Sequence, residues 1–218
     1  MIPRKQTNSF YFTVEGETEK WYFSWLQDTI NTTEDRTSNA KIIAKVQTPR
    51  QFLKSASFLS EIEVIHVFDY EADDNMHNQR FEKTLCEMKS ASQSGKNIVY
   101  KSGYSNFDFE LWIILHKGDC FGALSDKKQY LDKINRLYKE HFQGLREYKE
   151  ENNFRRILSR LTISDVNDAV KRAECILEQR KKTCTEMKKY GYTWYRENPS
   201  MLLYESVKKI LTSCKVRI

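Results

Sequence analysis

Short apolar runs and amphipathic stretches take turns along the first half of this chain, and that alternation sets the expected fold. Phe10, Phe12 and Val14 lie in a β-favouring run over Ser9–Val14 that reads as a buried strand. An amphipathic helix starting near Thr18 follows, carrying Trp21, Tyr22, Trp25 and Leu26. Ala40–Val46 reads as a second strand, Pro49 opens a helix with Phe52, Leu53 and Leu59, and Glu63–Phe68 reads as a third strand. Phe81, Leu85 and Met88, at spacings of three and four, mark a helix over Met76–Ser90. A turn-rich break leads to a fourth strand over Asn97–Tyr100. Ser105 with Asp108 three residues on forms a capping box, so a helix begins there. From Phe109 to Leu115 it is apolar on every face except Glu110, the pattern of a buried helix.

Strands alternating with helices predict an α/β fold, a mostly parallel sheet flanked by helices, over about residues 1–120. From Lys127 onward the pattern predicts helices alone: Gln129–Phe142, Val166–Lys189, Ser200–Cys214, and a shorter one between Glu150 and Leu161. Gly118–Ser125 is the best boundary. It divides an α/β domain (1–120) from a basic helical part (121–218) packed on it, or the two make a single domain.

Composition narrows the class. The 218 residues are 39% hydrophobic and 30% charged, with only seven Gly and three Pro, which favours an ordered, helix-rich protein. No run approaches eighteen apolar residues, and the opening MIPRKQTNS has no hydrophobic core, so neither a membrane span nor secretion is expected and the cytoplasm is the expected compartment. Five scattered cysteines without a Cys-x-x-Cys argue against a zinc site or disulfide framework, and four histidines form no ligand-spaced pair. Charge is uneven. Residues 1–125 carry 14 Lys and Arg against 17 Asp and Glu, a net −3, whereas residues 126–218 carry 22 against 13, a net +9. An acidic half joined to a basic half suits a protein that holds a cation in one place and a polyanion in another; a merely Lys-rich helical surface gives the same count.

Candidate chemistry sits at strand ends. Glu15 follows the first strand, and Asp69-Tyr70-Glu71-Ala72-Asp73-Asp74 ends the third. Ligands of open α/β sheets bind at that lip. Asp69 and Glu71, two apart, share one side of an extended segment, and Glu15 from a neighbouring parallel strand faces them. Such carboxylates suit Mg²⁺ or Mn²⁺ and in-line phosphoryl displacement; solvated loop acids are the bland alternative. Glu19 reaches the same place from the first helical turn, although helix capping explains Glu17 or Glu19 as well. Asp73 is an outer ligand candidate, and Asp74 is more simply solvated. Glu110 on its apolar helix requires a partner or a metal. Lys101, just past the fourth strand, stands where a phosphate would bind, with a solvated Lys the equal alternative, and Ser105 and Asn106 beyond it are further nucleic-acid contact candidates. In Lys188-Lys189-Tyr190-Gly191-Tyr192-Thr193-Trp194-Tyr195-Arg196, aromatics alternate with cations. That suits single-stranded nucleic acid, with Lys188, Lys189, Tyr192, Trp194 and Arg196 as contacts, or else packs a loop onto the core.

V-E-G-E-T-E-K-W-Y-F, the Asp-x-acid after the third strand, S-N-x-x-F-E-L-W-x-x-L-H and Asn198-Pro199-Ser200 together resemble the RloB-like (AbiLii-related) family, which is built on a Toprim domain. The match spans nearly the whole chain. The resemblance implies a catalytic Glu15, metal-binding Asp69 and Glu71, and less defined roles for Glu19, Asn106 and Glu110. It also implies a nuclease of prokaryotic anti-phage or mobile-element defence, cutting RNA such as tRNA, or DNA, often with an ATPase encoded alongside. Two departures stand out: the usual Asp-x-Asp is Asp69-x-Glu71, and the usual Ser-Asn-Pro is Ser105-Asn106-Phe107. The rival expectation is a degenerate Toprim module that binds nucleic acid or the ATPase without cleavage. Homo-oligomerisation is compatible with the sequence, though no feature argues for it.

Overall fold

A computed structural model describes residues 5–55, 57–71, 75–122, 124 and 126–216. Four parallel strands form the frame: β1 (Thr7–Val14), β2 (Asn39–Val46), β3 (Ile62–Asp69) and β4 (Ile98–Asn106). The helices α1 (Glu17–Thr32), α2 (Pro49–Ser55) and α3 (Asn75–Ser92) connect them. Beyond β4 come α4 (Glu110–Lys117), α5 (Lys127–Tyr138), α6 (Leu145–Tyr148), α7 (Glu151–Leu158), α8 (Ile163–Thr183), the hairpin β5 (Met187–Lys189) and β6 (Tyr192–Trp194), β7 (Ser200–Met201) and α9 (Leu203–Cys214).

The sheet order is β2-β1-β3-β4-β7, with only β7 antiparallel. From β1 the chain steps one way to β2, then crosses back to lay β3 on the other side of β1. The order therefore reverses between β1 and β3, and the crevice beyond their C-terminal ends is where such sheets bind ligands. Val14 pairs with Val67, and Asp69 with Ser105, so Glu15 and Asp69 emerge together at that crevice.

Strand alternation divides the core in two. Phe10, Phe12 and Val14 of β1 and Ile65 and Val67 of β3 face α1, α4, α5, α7, α8 and α9 in one apolar cluster that runs from Phe10 to Val216. Val64, Phe68, Ile98, Tyr100 and Tyr104 face the other way, against Phe52 of α2, Phe81, Leu85 and Met88 of α3, and Trp194.

The mixed α/β fold and mostly parallel sheet agree with the sequence pattern, with four corrections. α2 stops at Ser55, so Leu59 lies beyond it. β4 runs on to Asn106, because Gly103, Tyr104 and Ser105 pair with Val67, Phe68 and Asp69. A capping box at Ser105 and Asp108 is thereby lost: Ser105 is a strand residue, and α4 starts at Glu110 without a side-chain cap. The long C-terminal helix stops at Thr183, where a hairpin turns at Tyr190 and Gly191. Both turn residues take positive φ, 55° and 91°, as a tight two-residue hairpin turn requires. Finally, Ser200 and Met201 form a strand rather than the start of the last helix, pairing with Asn106 and Ser105.

Candidate active site

Glu15, Asp69 and Glu71 line one small cavity of 60 Å³, with His77 and Arg80 on its α3 side. The backbone N–H of Asp69 donates to Glu15 Oε2 at 3.3 Å. Crowding by the surrounding protein pushes the Glu15 carboxyl above its ordinary value, and the nearby Glu71 charge adds to this, while the Asp69 N–H and Arg80 pull the other way. Asp69 is raised well above its ordinary value by burial and by the charges of Asp108, Glu19, Glu15 and Glu110. Glu71 turns to Lys127 Nζ at 2.6 Å and His77 Nε2 at 3.3 Å. Asp73 lies outside the described residues.

A second tier of acids stands behind this cavity. Glu19, near the start of α1, is buried and accepts a hydrogen bond from Thr18 Oγ1 at 2.9 Å. A Cβ on Gly16 would meet Glu19 Oε2 at 2.8 Å, so the glycine leaves room for this carboxylate. Asp108, 1% exposed, has neither carboxyl oxygen hydrogen-bonded among the described residues. Burial and the Glu110 charge raise its carboxyl well above the ordinary value, against Lys149 and Lys127. Glu110 is 0% exposed and ion-paired with Lys149 Nζ at 2.8 Å, without the alignment of a hydrogen bond. Lys149 comes from the turn after α6, in the C-terminal half. Its partial burial disfavours the ammonium, but Glu110, Asp69 and Asp108 outweigh that and hold its pKa above the usual lysine value.

The donor set is all carboxylate, crowded beyond what Lys127 and Lys149 neutralise, with oxygens left without donors. That chemistry fits a hard divalent cation, and the front cavity has room for an ion with water. Glu15, Asp69 and Glu71 would hold it. Among the described residues, however, no three His, Cys, Asp or Glu side chains already stand as a ligand group, and Glu71 is engaged by Lys127 and His77.

The remaining sequence candidates lie elsewhere. Lys101 is not past β4 but within it, paired with Ile65 well short of the strand's C-terminal end. It lines a separate cleft with Glu63, Glu205 and Lys209. Ser105 and Asn106 are fully buried. Asn106 Nδ2 donates to the carbonyls of Tyr195 and Arg196, which ties β4 to the C-terminal segment. Trp194 packs against Phe81 at 5.3 Å between ring centres and is 5% exposed, so it belongs to the core. Tyr192 donates to the Tyr100 carbonyl at 3.4 Å, and Lys189 pairs with Glu82. Lys188 and Arg196 are exposed. The sequence reading missed Asp108, Lys127, Lys149 and Arg80. Asp108 alone left a local signal, an acid between two buried phenylalanines.

The family model of RloB-like proteins matches residues 10–210. The chain belongs to the RloB-like family. No curated protein and no solved structure matches it. In this RloB-like protein the matched span takes in both tiers of acids, the two lysines that face them and the Asn198-Pro199-Ser200 segment.

Proposed function

We propose that this RloB-like protein is a Toprim-type, Mg²⁺- or Mn²⁺-dependent nuclease that hydrolyses phosphodiester bonds in RNA or DNA. The reading rests on one observation: three carboxylates from β1 and β3 line a single cavity where the strand order reverses. A bound divalent ion there supplies a polarised phosphoryl oxygen and a more acidic water. Glu15, its carboxyl raised above its ordinary value by burial, takes the proton of the water that attacks phosphorus as the bond to the leaving oxygen breaks. Arg80 neutralises the phosphate at the rim. By family likeness the cellular role is defence against phage or mobile elements, in the cytoplasm, alongside an ATPase.

The hold of Lys127 and His77 on Glu71 favours a second reading, a module that binds nucleic acid without cutting. Labelled RNA and DNA, incubated with Mg²⁺, Mn²⁺ or EDTA, separate the two. Cleavage that is lost with EDTA and falls about 10³-fold or more in Glu15→Gln is the expected result. Binding that survives chelation and Glu15→Gln, with no cleavage, overturns the nuclease.

A further inference from the structure

A second and larger cavity, of 260 Å³, opens beside Glu15. It covers the C-terminal ends of β1 and β2, with α2 and α3 as walls, and Glu15, Arg80 and Thr84 line both it and the acid-lined cavity. The smaller hollow admits an ion and water; the larger one approaches the size of small-molecule pockets.

Its polar groups are unevenly satisfied. Thr48 and Gln51 bond each other across the first turn of α2, with Gln51 N–H donating to Thr48 Oγ1 and Thr48 N–H to Gln51 Oε1. His66 is buried, with Nδ1 2.9 Å from Thr13 Oγ1 and 3.2 Å from the Thr13 carbonyl. A carbonyl only accepts, so Nδ1 carries the proton, and burial keeps the ring neutral with a pKa lowered to about 4. Nε2 is then a lone-pair acceptor, with no hydrogen-bond donor among the described residues. Gln47 Oε1 also lacks a donor there, but it is sealed from the cavity. On the α3 wall, Arg80 and Lys83 are exposed and three residues apart, hence on one face of the helix. The cavity thus sets one unfilled acceptor, His66 Nε2, beside the cations Arg80 and Lys83 and the carboxylates Glu15 and Glu87. Cytosine presents an exocyclic amine where uracil and thymine present a carbonyl, so acceptors tell them apart without a change of ring size.

Building on the nuclease reading, we propose that this cavity seats the nucleobase beside the scissile phosphate in a single strand. Arg80 and Lys83 hold the flanking phosphates, and His66 favours a base with an exocyclic amine, such as cytosine, over uracil or thymine.

The test is equilibrium binding of the full chain, in EDTA at neutral pH, to labelled octamers of cytosine, uracil or thymine in the RNA and DNA series. Cytosine octamers are expected to bind about five- to tenfold more tightly in the preferred sugar series, and comparison of the series tells RNA from DNA. His66→Phe, folded by circular dichroism, should shrink that ratio without weakening the uracil or thymine octamer. The double variant Arg80→Ala, Lys83→Ala, folded by circular dichroism, should weaken every octamer about tenfold and reduce the salt slope by about two. Equal affinity for cytosine and uracil or thymine octamers overturns the base assignment, and wild-type binding by the double variant overturns the phosphate assignment. A chain that prefers cytosine yet never cleaves with Mg²⁺ or Mn²⁺ keeps the cavity and overturns the nuclease. One that cleaves but binds all octamers alike does the reverse.

Discussion

Two buried polar regions flank the end of β4, and they are built on opposite terms. Around Asn198, hydrogen bonds close on one another. The Tyr130 hydroxyl accepts from the Phe107 N–H and donates to Asn198 Oδ1, Asn198 Nδ2 donates to the Leu124 carbonyl, and Arg180 donates to the carbonyls of Asn198 and Pro199. A few residues away, Glu19, Asp69, Asp108 and Glu110 crowd together, with Lys149 the cation that reaches Glu110. The first region satisfies its polar groups and so stabilises the fold. The second confines like charges away from water, which costs stability and is expected only where the charges have a use.

Breaking the satisfied region should have the larger effect on folding. Asn198→Ala removes two hydrogen bonds and leaves the Leu124 carbonyl without that donor, a loss of about 2–3 kcal/mol in chemical unfolding. Any activity should fall only with the folded fraction. A loss below 0.5 kcal/mol, on the order of a surface change, would mean that the network contributes little.

Lys149→Met probes the crowded region from its cationic side. Glu110 is then fully buried without that counter-charge, and with Lys149 itself half-exposed the expected loss is about 2 kcal/mol, read by melting in EDTA. An unchanged melting temperature would show that the pair is not formed in solution.

Removing one of the crowded charges should act in the other direction. In Asp69 and Asp108 the folded pKa is raised, so their contribution is full below the unfolded value of 3.8 and is lost as pH rises through the folded values. His66 and His116, lowered to about 4, contribute fully above 6.5 and lose that contribution as pH falls toward 4. Because the histidines are common to both proteins, Asp108→Asn minus wild type isolates the carboxylate. The variant should gain roughly 1–2 kcal/mol near pH 8 and much less near pH 5. An equal gain at both would show that Asp108 is not held protonated by the fold.

Lys127→Met gives the smallest change. The ammonium is 50% exposed, so losing its pairing with Glu71 should cost no more than about 0.5 kcal/mol. It should also free Glu71, so Mn²⁺ added to the variant should raise its melting temperature more than that of wild type. A smaller rise would assign Lys127 a part in holding the ion.

What the sequence made legible follows the reach of each interaction. The ends of β1 and β3 are marked by apolar runs that stop at Glu15 and Asp69, a signal carried within a few residues. Lys149 and Lys127 meet Glu110 and Glu71 only because α5 packs on α4 and α6 on α5, and nothing beside them in the chain announces it. The hairpin was hidden by charge: Lys181, Lys182, Lys188 and Lys189 continue a helical look past Thr183, while the Tyr190-Gly191 turn with Tyr192 and Trp194 alternating after it was the stronger cue. Ser105 with Asp108 looked like a helix start, yet Ser105 and Asn106 complete a strand, and Asn106 Nδ2 donates to the carbonyls of Tyr195 and Arg196.

The two residues of β7 have a further effect on how the molecule meets others. They pair with the last two residues of β4, and β2 forms the opposite border of the sheet among the described strands. There Lys41 and Lys45 are exposed, and charges of that kind discourage a neighbouring chain from zipping on by backbone pairing. The lysines thus guard the β2 margin, while β7 guards only the C-terminal end of β4.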